Sequence, residues 1–341
     1  MGQSAVIFRE AMAIATGYSG DQRTAVHFLS PLRYPGGKRK LANFFRLLFY
    51  QNDLLDGEYA ELYAGGASVA LSLLYGEFVT RVHINDIDPA VATFWRVVLE
   101  STEVLVRRIR DVAVTMAEWK RQRSVQESKD PDPVDLALST FFLNRTNRSG
   151  IIKGGVIGGK AQVGRWALDA RFNKNDLIGR IEKIARYRSR IKAYQLDGAE
   201  FICNVLPSLP SRTLVYLDPP YYVKGGDLYE HHYVHEDHER IAALVGTIKQ
   251  PWIVSYDYVP AIERMYEEYR QRPYGIHYSA QARYRGTEVM VFSRQLRIPE
   301  VADPSKVRPS DVQVCLPDGV AALKERTTAA KSRNGRGQAR P

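Results

Sequence analysis

The 341-residue sequence predicts an α/β protein: a doubly wound, mainly parallel sheet with helices on both faces, interrupted by one inserted segment of different character. Three observations carry that prediction. Short apolar runs ending in Gly, Asp or Pro alternate with longer stretches of helical period. The composition, 45% hydrophobic with 25% charged and 11% aromatic residues, is enough to fill a real core. Between residues 116 and 190 the alternation breaks, and basic, glycine-rich sequence replaces it.

Taken in order, residues 1–28 carry short apolar stretches broken by Arg9, Glu10, Asp21 and Arg23 and read as an N-terminal extension without a signal-peptide core. The main domain is expected over 29–115 and 191–300. Its strands are placed at 59–62, 81–85, 192–196, 213–217, 252–255 and 288–292, with helices between them, for instance at 68–75 and 89–100. The second of these carries Val91, Phe94, Trp95 and Val98 on one stripe. In the insertion, 116–190, a charged helix through Arg121 and Lys129 meets Pro131 and Pro133. A second helix around 135–144 follows, and then six glycines fall within 150–164. Residues 301–341 form a basic tail, and its last eleven positions lack the large apolar side chains a core needs.

The formal charge is +10, and residues 141–195 alone hold 13 Lys/Arg against three acids, so the whole excess is concentrated in the insertion and its exit. That concentration points to a polyanionic partner. Two cysteines are too few for a disulfide framework or a cysteine-ligated zinc site, and no run of 18 apolar residues occurs, so a soluble, cytoplasmic protein without a membrane span is expected.

Three motifs carry chemistry. Glu61-Leu-Tyr-Ala-Gly65-Gly66-Ala-Ser68 places paired glycines between a strand and a helix, where a ligand can approach the helix N-terminus. Roughly 20 residues on, Asn85-Asp86 ends the next strand with a carboxylate suited to a ribose diol, whereas Asp88-Pro89 reads as a helix cap. Together they describe an adenosine-containing cofactor. The third motif is Asp218-Pro219-Pro220-Tyr221, delivered by an apolar strand. The prolines remove two backbone donors, so Asp218 and the Pro219 carbonyl form an acceptor pair for an amino group, and Tyr221 offers a π-face to a planar base rotated out of a duplex.

In order along the chain, Arg33-Tyr34-Pro-Gly-Gly-Lys38, Gly65-Gly66, Asn85-Asp86, Phe142-Leu-Asn144-Arg145 and Asp218-Pro-Pro-Tyr221 resemble the Dam-type family of adenine-N6 DNA methyltransferases over residues 30–295. The resemblance implies a Rossmann-like methyltransferase fold and S-adenosylmethionine as the donor. It also implies direct transfer to the N6 amino group of a flipped adenine in double-stranded DNA, without a metal. It places Tyr34, Lys38, Glu61, Gly65, Gly66, Asp86 and Asp197 at the cofactor and Asp218, Pro219, Pro220 and Tyr221 at the reaction. The target-recognition region would be the insertion, with Asn144, Arg145, Arg148, Lys153, Lys160, Arg165, Arg171 and Lys174 toward DNA.

The sequence departs from the family after Gly150, where Ile151-Ile-Lys-Gly-Gly-Val-Ile-Gly-Gly-Lys160 replaces the usual stretch, so no recognition sequence carries over. Leu62 and Ala67 replace a usual proline and glycine. A cognate restriction enzyme is a partner such a protein can have, and the oligomeric state is left open. His231, His232, His235 and His238 lack a zinc-enzyme order and are expected to serve a closing loop or helix, and Cys203 to be a packed thiol. Competing readings are methylation of RNA adenine or of cytosine N4, and a catalytically silent DNA-binding subunit. A dehydrogenase fails on the glycine spacing and leaves the Asp218 motif unexplained.

Overall fold

The computed structural model describes residues 29–34, 36–223, 233–278 and 284–315; residues 1–28, His231, His232 and the tail from 316 onward lie outside the described residues. Seven strands, β1 (Gly57–Glu61), β2 (Val79–Asn85), β3 (Ile191–Tyr194), β4 (Thr213–Leu217), β5 (Trp252–Asp257), β6 (Arg270–Tyr278) and β7 (Tyr284–Phe292), form one sheet in the order β3-β2-β1-β4-β5-β7-β6. The first five run parallel, and β7 is antiparallel to both β5 and β6. The chain winds outward from β1 to β3 and then crosses to β4, so the topological switch point lies between β1 and β4, where ligands of such sheets bind.

Period-2 alternation divides the core into two clusters, one on each face of the sheet. Tyr59, Leu214, Tyr216 and Ile253 point into one; Ala60, Leu62, Val215, Leu217 and Val254 point into the other. The second is covered by α8 (Gly198–Asn204), α9 (His235–Val245) and α10 (Pro260–Met265). The first takes α1 (Ala42–Gln51), α2 (Ser68–Tyr75), α3 (Pro89–Glu100) and α4 (Thr102–Asp111), and it is continuous with the insertion helices α5 (Met116–Glu127), α6 (Pro133–Thr146) and α7 (Lys174–Arg186). Phe94 of α3 stacks on Phe141 of α6 at 6.2 Å and 7° between planes, a pair worth about 0.5–1.5 kcal/mol beyond its buried area. A last helix, α11 (Pro309–Cys315), follows the sheet.

All six expected strands are present, and β6 is an addition. Pro273 and Gly275 hide it in the sequence, and both are tolerated because β6 is an edge strand with one neighbour. Cys203 corrects another expectation. It lies on the outward side of α8 and is exposed, because the apolar stripe of that helix runs through Ala199, Phe201 and Ile202. No described helix is long and apolar enough to cross a membrane.

Candidate active site

The glycine pair after β1 is a turn pinned from three sides. Gly65 has φ +46°, the left-handed region that glycine enters without strain, and a Cβ there would sit 2.7 Å from ring carbons of Tyr34. Its N–H donates to Asp86 Oδ2 at 2.8 Å, and its carbonyl accepts from the Trp95 indole N–H of α3 at 2.9 Å. Ala67, standing where the family prefers glycine, also takes a left-handed conformation at φ +48°. It offers α2 no side-chain cap, and Glu61 supplies one from β1, its Oε2 accepting from the Ala70 N–H at 3.2 Å.

Three carboxyl groups therefore stand beside this turn at the carboxyl ends of neighbouring strands. Glu61 is buried and burial pushes its carboxyl up to about 8. Asp86 is buried too; burial first, and then the nearby Asp88 charge, push it up to about 7. Asp197 caps α8 by accepting from the Ala199 N–H at 2.9 Å, and its second oxygen accepts from the Tyr233 hydroxyl at 3.4 Å. The Tyr63 hydroxyl lies 3.0 Å from that of Tyr233, and its ring passes so close to Gly198 that a Cβ there would meet the Tyr63 oxygen at 2.2 Å. The carboxyl groups of Glu61 and Asp86, and that of Asp197 joined through Tyr233 to Tyr63, thus line the strand ends next to this turn, and oxygen acceptors of this kind fit the polar groups of S-adenosylmethionine.

Across the switch point, β4 delivers Asp218. Lys38 bridges both carboxylate oxygens at 2.7 and 2.8 Å, and Oδ1 also accepts from the Ser255 hydroxyl of β5 at 2.9 Å. Ser255 is in turn 2.5 Å from the Tyr216 hydroxyl, so sheet side chains fix the carboxylate from beneath. The Asp218 side chain keeps 18% of its surface exposed, while that of Lys38 keeps 2%. Burial pushes the Asp218 carboxyl up, the Lys38 ammonium opposes this, and Glu288 adds to it. Tyr221 is buried, its ring centroid 5.3 Å from Lys38 Nζ, so the ring does not present the open face to a base expected from the sequence. Its hydroxyl donates to Glu288 Oε1 at 2.7 Å, and Tyr274 donates to Oε2. The chain leaving Tyr221 is clamped by Asp257, whose two oxygens accept from the Tyr222 and Val223 N–H groups.

The structure thus brings Tyr34, Gly65 and Asp86 together, with Glu61 behind the glycine turn, whereas Lys38, expected at the cofactor, is paired with Asp218 beside Tyr221. Sequence reasoning did not single out Glu288, Ser255, Tyr274, Tyr63 or Tyr233. A signal for Glu288 existed, since it is a lone acid at the start of the apolar run Val289-Met-Val-Phe292.

The insertion residues divide. Arg148, Lys153, Lys160, Arg165 and Arg171 are exposed. Trp166, also exposed, lies 5.3 Å from the Arg165 guanidinium and 6.0 Å from that of Arg171. Asn144, by contrast, is buried: its carbonyl accepts from the Arg33 N–H at 2.7 Å, and its amide donates to the carbonyls of Arg33 and Gly150 at 2.6 and 2.8 Å. Lys174 donates to the carbonyls of Arg110 and Val112, at the end of α4. Asn144 is thus committed inside the protein, and Lys174, partly exposed, is tied to backbone carbonyls at the surface. Arg145 is also buried, its Nε has no hydrogen-bond partner among the described residues, and burial, then Arg180 and Arg33, pull its guanidinium down to about 9.

Of the histidine cluster, His235 is paired with Glu239 at 3.2 Å and Tyr222 at 2.9 Å, and His238 is buried against Tyr222, Tyr233 and Tyr256. Among the described residues no group of three or more His, Cys, Asp or Glu is arranged to hold a metal ion.

The chain is 24% identical over 217 residues to the modification methylase StsI of Streptococcus sanguinis, a match covering 60% of this chain and 30% of that protein. It therefore spans about a third of the length of that curated relative. Among solved structures it is similar to the rRNA methyltransferase aviRa of Streptomyces viridochromogenes, with 13% identity, 87% and 97% of the two chains covered and a TM-score of 0.37. It is also similar to a precorrin-6y C5,15-methyltransferase of Geobacter metallireducens, with 10% identity, 72% and 85% covered and a TM-score of 0.30. The model of the D12 class N6 adenine-specific DNA methyltransferases matches residues 34–283, most of the chain. The protein belongs to that family, and its methyl donor is S-adenosylmethionine.

Proposed function

We propose that the protein methylates the N6 amino group of an adenine rotated out of double-stranded DNA. The observation that carries this reading is the placement of Asp218-Pro219-Pro220-Tyr221 at the switch point, with Asp218 held by Lys38 and Ser255 while part of its surface stays open. The cofactor side would be held by Tyr34, Glu61, the Gly65–Gly66 backbone, Asp86 and Asp197, and when bound it supplies an electrophilic methyl group on sulfur. Asp218 and the Pro219 carbonyl accept the two amino hydrogens, which keeps the nitrogen lone pair out of the ring and available to the methyl carbon. As the C–N bond forms and the C–S bond breaks, positive charge grows on the amino nitrogen. The Asp218 carboxylate stabilises that charge and takes the proton directly or through water.

The insertion, 116–190, is read as the target-recognition region. Arg148, Lys153, Lys160, Arg165 and Arg171 would meet phosphates, and Trp166 between two guanidinium groups offers a π-face to a base. The test is purified protein with labelled S-adenosylmethionine and DNA of varied sequence, followed by identification of the modified nucleoside. N6-methyladenosine in deoxy form supports the reading; label in cytosine, or label only in RNA, overturns it.

A further inference from the structure

We propose that Glu288 is a positioning residue of the transfer site, a buried carboxylate that sets the Tyr221 ring and the Lys38 ammonium around Asp218; the assignment rests on the reading given under Proposed function. Glu288 lies on β7, opposite Asp257 of β5 and Tyr274 of β6, and is fully buried. One oxygen accepts from the Tyr221 hydroxyl at 2.7 Å; the other accepts from the Tyr274 hydroxyl and lies 3.6 Å from Lys38 Nζ.

A carboxylate in such a place is costly, and an apolar residue in line with Met290 and Phe292, on the same face of β7, would fill the site at lower cost. What the charge provides is geometry. A tyrosine ring has two side-chain torsions. The hydroxyl oxygen lies on the axis of the second, so tethering it fixes the first torsion and with it the place of the ring beside Lys38, while the surrounding packing sets the angle of its face. The same carboxylate also draws on the Lys38 ammonium, which thus meets two acids at 2.7 and 3.6 Å. Moving Lys38 away from either carboxylate gives up one of these attractions, and its 5.3 Å distance from the Tyr221 ring centroid is set along with them. Glu288 acts through the buried Tyr221 and Lys38 on the partly open Asp218, and does not itself reach the reacting atoms.

The charges facing Asp218 are Lys38 from the N-terminal segment, Glu288 from β7 and Glu61 from β1; Tyr59, Tyr216 and Tyr274 complete its ionisable surroundings. Replacing Glu288 by glutamine preserves shape and removes one of the two acids that repel Asp218 ionisation. A residue that merely filled space would leave the acidic limb of the kcat profile where it was.

The experiment uses the full chain with S-adenosylmethionine and a DNA substrate, comparing wild type with Glu288→Gln, Tyr221→Phe and the double variant. Glu288→Gln is expected to bind S-adenosylmethionine within about 3-fold of wild type, to lose about 10- to 100-fold in kcat, and to shift its acidic limb to lower pH. The double variant is expected to lose less than the product of the two single losses, since both cut the same tether. Wild-type kcat with an unmoved acidic limb in Glu288→Gln, or fully multiplicative losses, overturns the proposal. If Glu288→Gln does not fold, Tyr274→Phe and Tyr221→Phe decide. Tyr221→Phe with undiminished kcat overturns the tether, and a loss in Tyr221→Phe with a smaller one in Tyr274→Phe supports it. Absence of methyl transfer to DNA by the wild-type protein would instead refute the function proposed above.

Discussion

Changing Asp218 to asparagine keeps the volume and one acceptor oxygen of the side chain while removing its charge. The structure lets two consequences be sized separately. Lys38 loses the partner that binds it through two oxygens at 2.7 and 2.8 Å, and breaking a buried pair from one side costs about 3–5 kcal/mol. Glu288 stands 3.6 Å from the same ammonium in wild type and variant alike, so Lys38 is not left as an unpaired buried charge and the cost falls toward or below the low end of that range. A net destabilisation of about 1–3 kcal/mol follows, seen as a Tm drop of roughly 2–4 °C per kcal/mol. Catalysis fares worse. Losing the charged acceptor is expected to cut kcat by about 100- to 10,000-fold, or about 2.7–5.4 kcal/mol in the barrier. Cofactor affinity, carried by groups around Gly65, should stay within about 3-fold. Labelled-methyl transfer gives kcat, calorimetric titration gives the cofactor Kd, and thermal denaturation gives Tm. A variant with kcat within tenfold of wild type, or one whose cofactor binding collapses in step with kcat, would refute the reasoning, because Asp218 would then be structural.

Other outcomes can be measured alongside it. Glu61, pushed up to about 8 by burial, binds its proton more tightly folded than unfolded. Its support for the fold is complete below its ordinary value of 4.5 and is lost as pH rises through about 8, at up to about 1.4 kcal/mol per pH unit. Glu61→Gln should therefore gain stability relative to wild type between those limits, and parallel stability curves would remove Glu61 from the account. Gly65→Ala forces a left-handed alanine, about 1–2 kcal/mol, against the Tyr34 ring at 2.7 Å. Cofactor affinity should fall at least about tenfold, since the displaced ring and turn form its cradle. Replacing Arg165 and Arg171 by glutamine should weaken DNA binding uniformly across sequences and lower the slope of log K against log salt by about 1–2. Quenching of Trp166 fluorescence on DNA binding, lost in Trp166→Ala, would place that ring in the interface; unchanged emission would exclude it.

Much of this was readable before any coordinates. Six of the seven strands announced themselves as short runs rich in apolar residues, and Asp218 did so because its strand, prolines and tyrosine are contiguous. What escaped is what depends on distant partners. The Tyr221–Glu288 hydrogen bond spans 67 residues and the Lys38–Asp218 bond 180, so neither leaves a local pattern. Asn144 reads as a polar surface residue next to arginines, yet its three hydrogen bonds lie inside, two of them reaching Arg33 across 111 residues. Asp86 was read as a ribose acceptor; what the structure shows is its hold on the Gly65 and Asp88 N–H groups, which no spacing rule reveals.

On the proposed reading of the insertion as the target-recognition region, the grip of Asn144 on the N–H and the carbonyl of Arg33 has a practical corollary for retargeting. The stretch bearing Arg33, Tyr34 and Lys38 belongs to no strand, and it is moored to α6 of the very segment that would be exchanged. Swapping in a foreign recognition segment without an equivalent asparagine would cast that mooring off, and Lys38 would drift from the carboxylate it serves. A graft should therefore begin beyond Gly150, leaving α6 as part of the chassis.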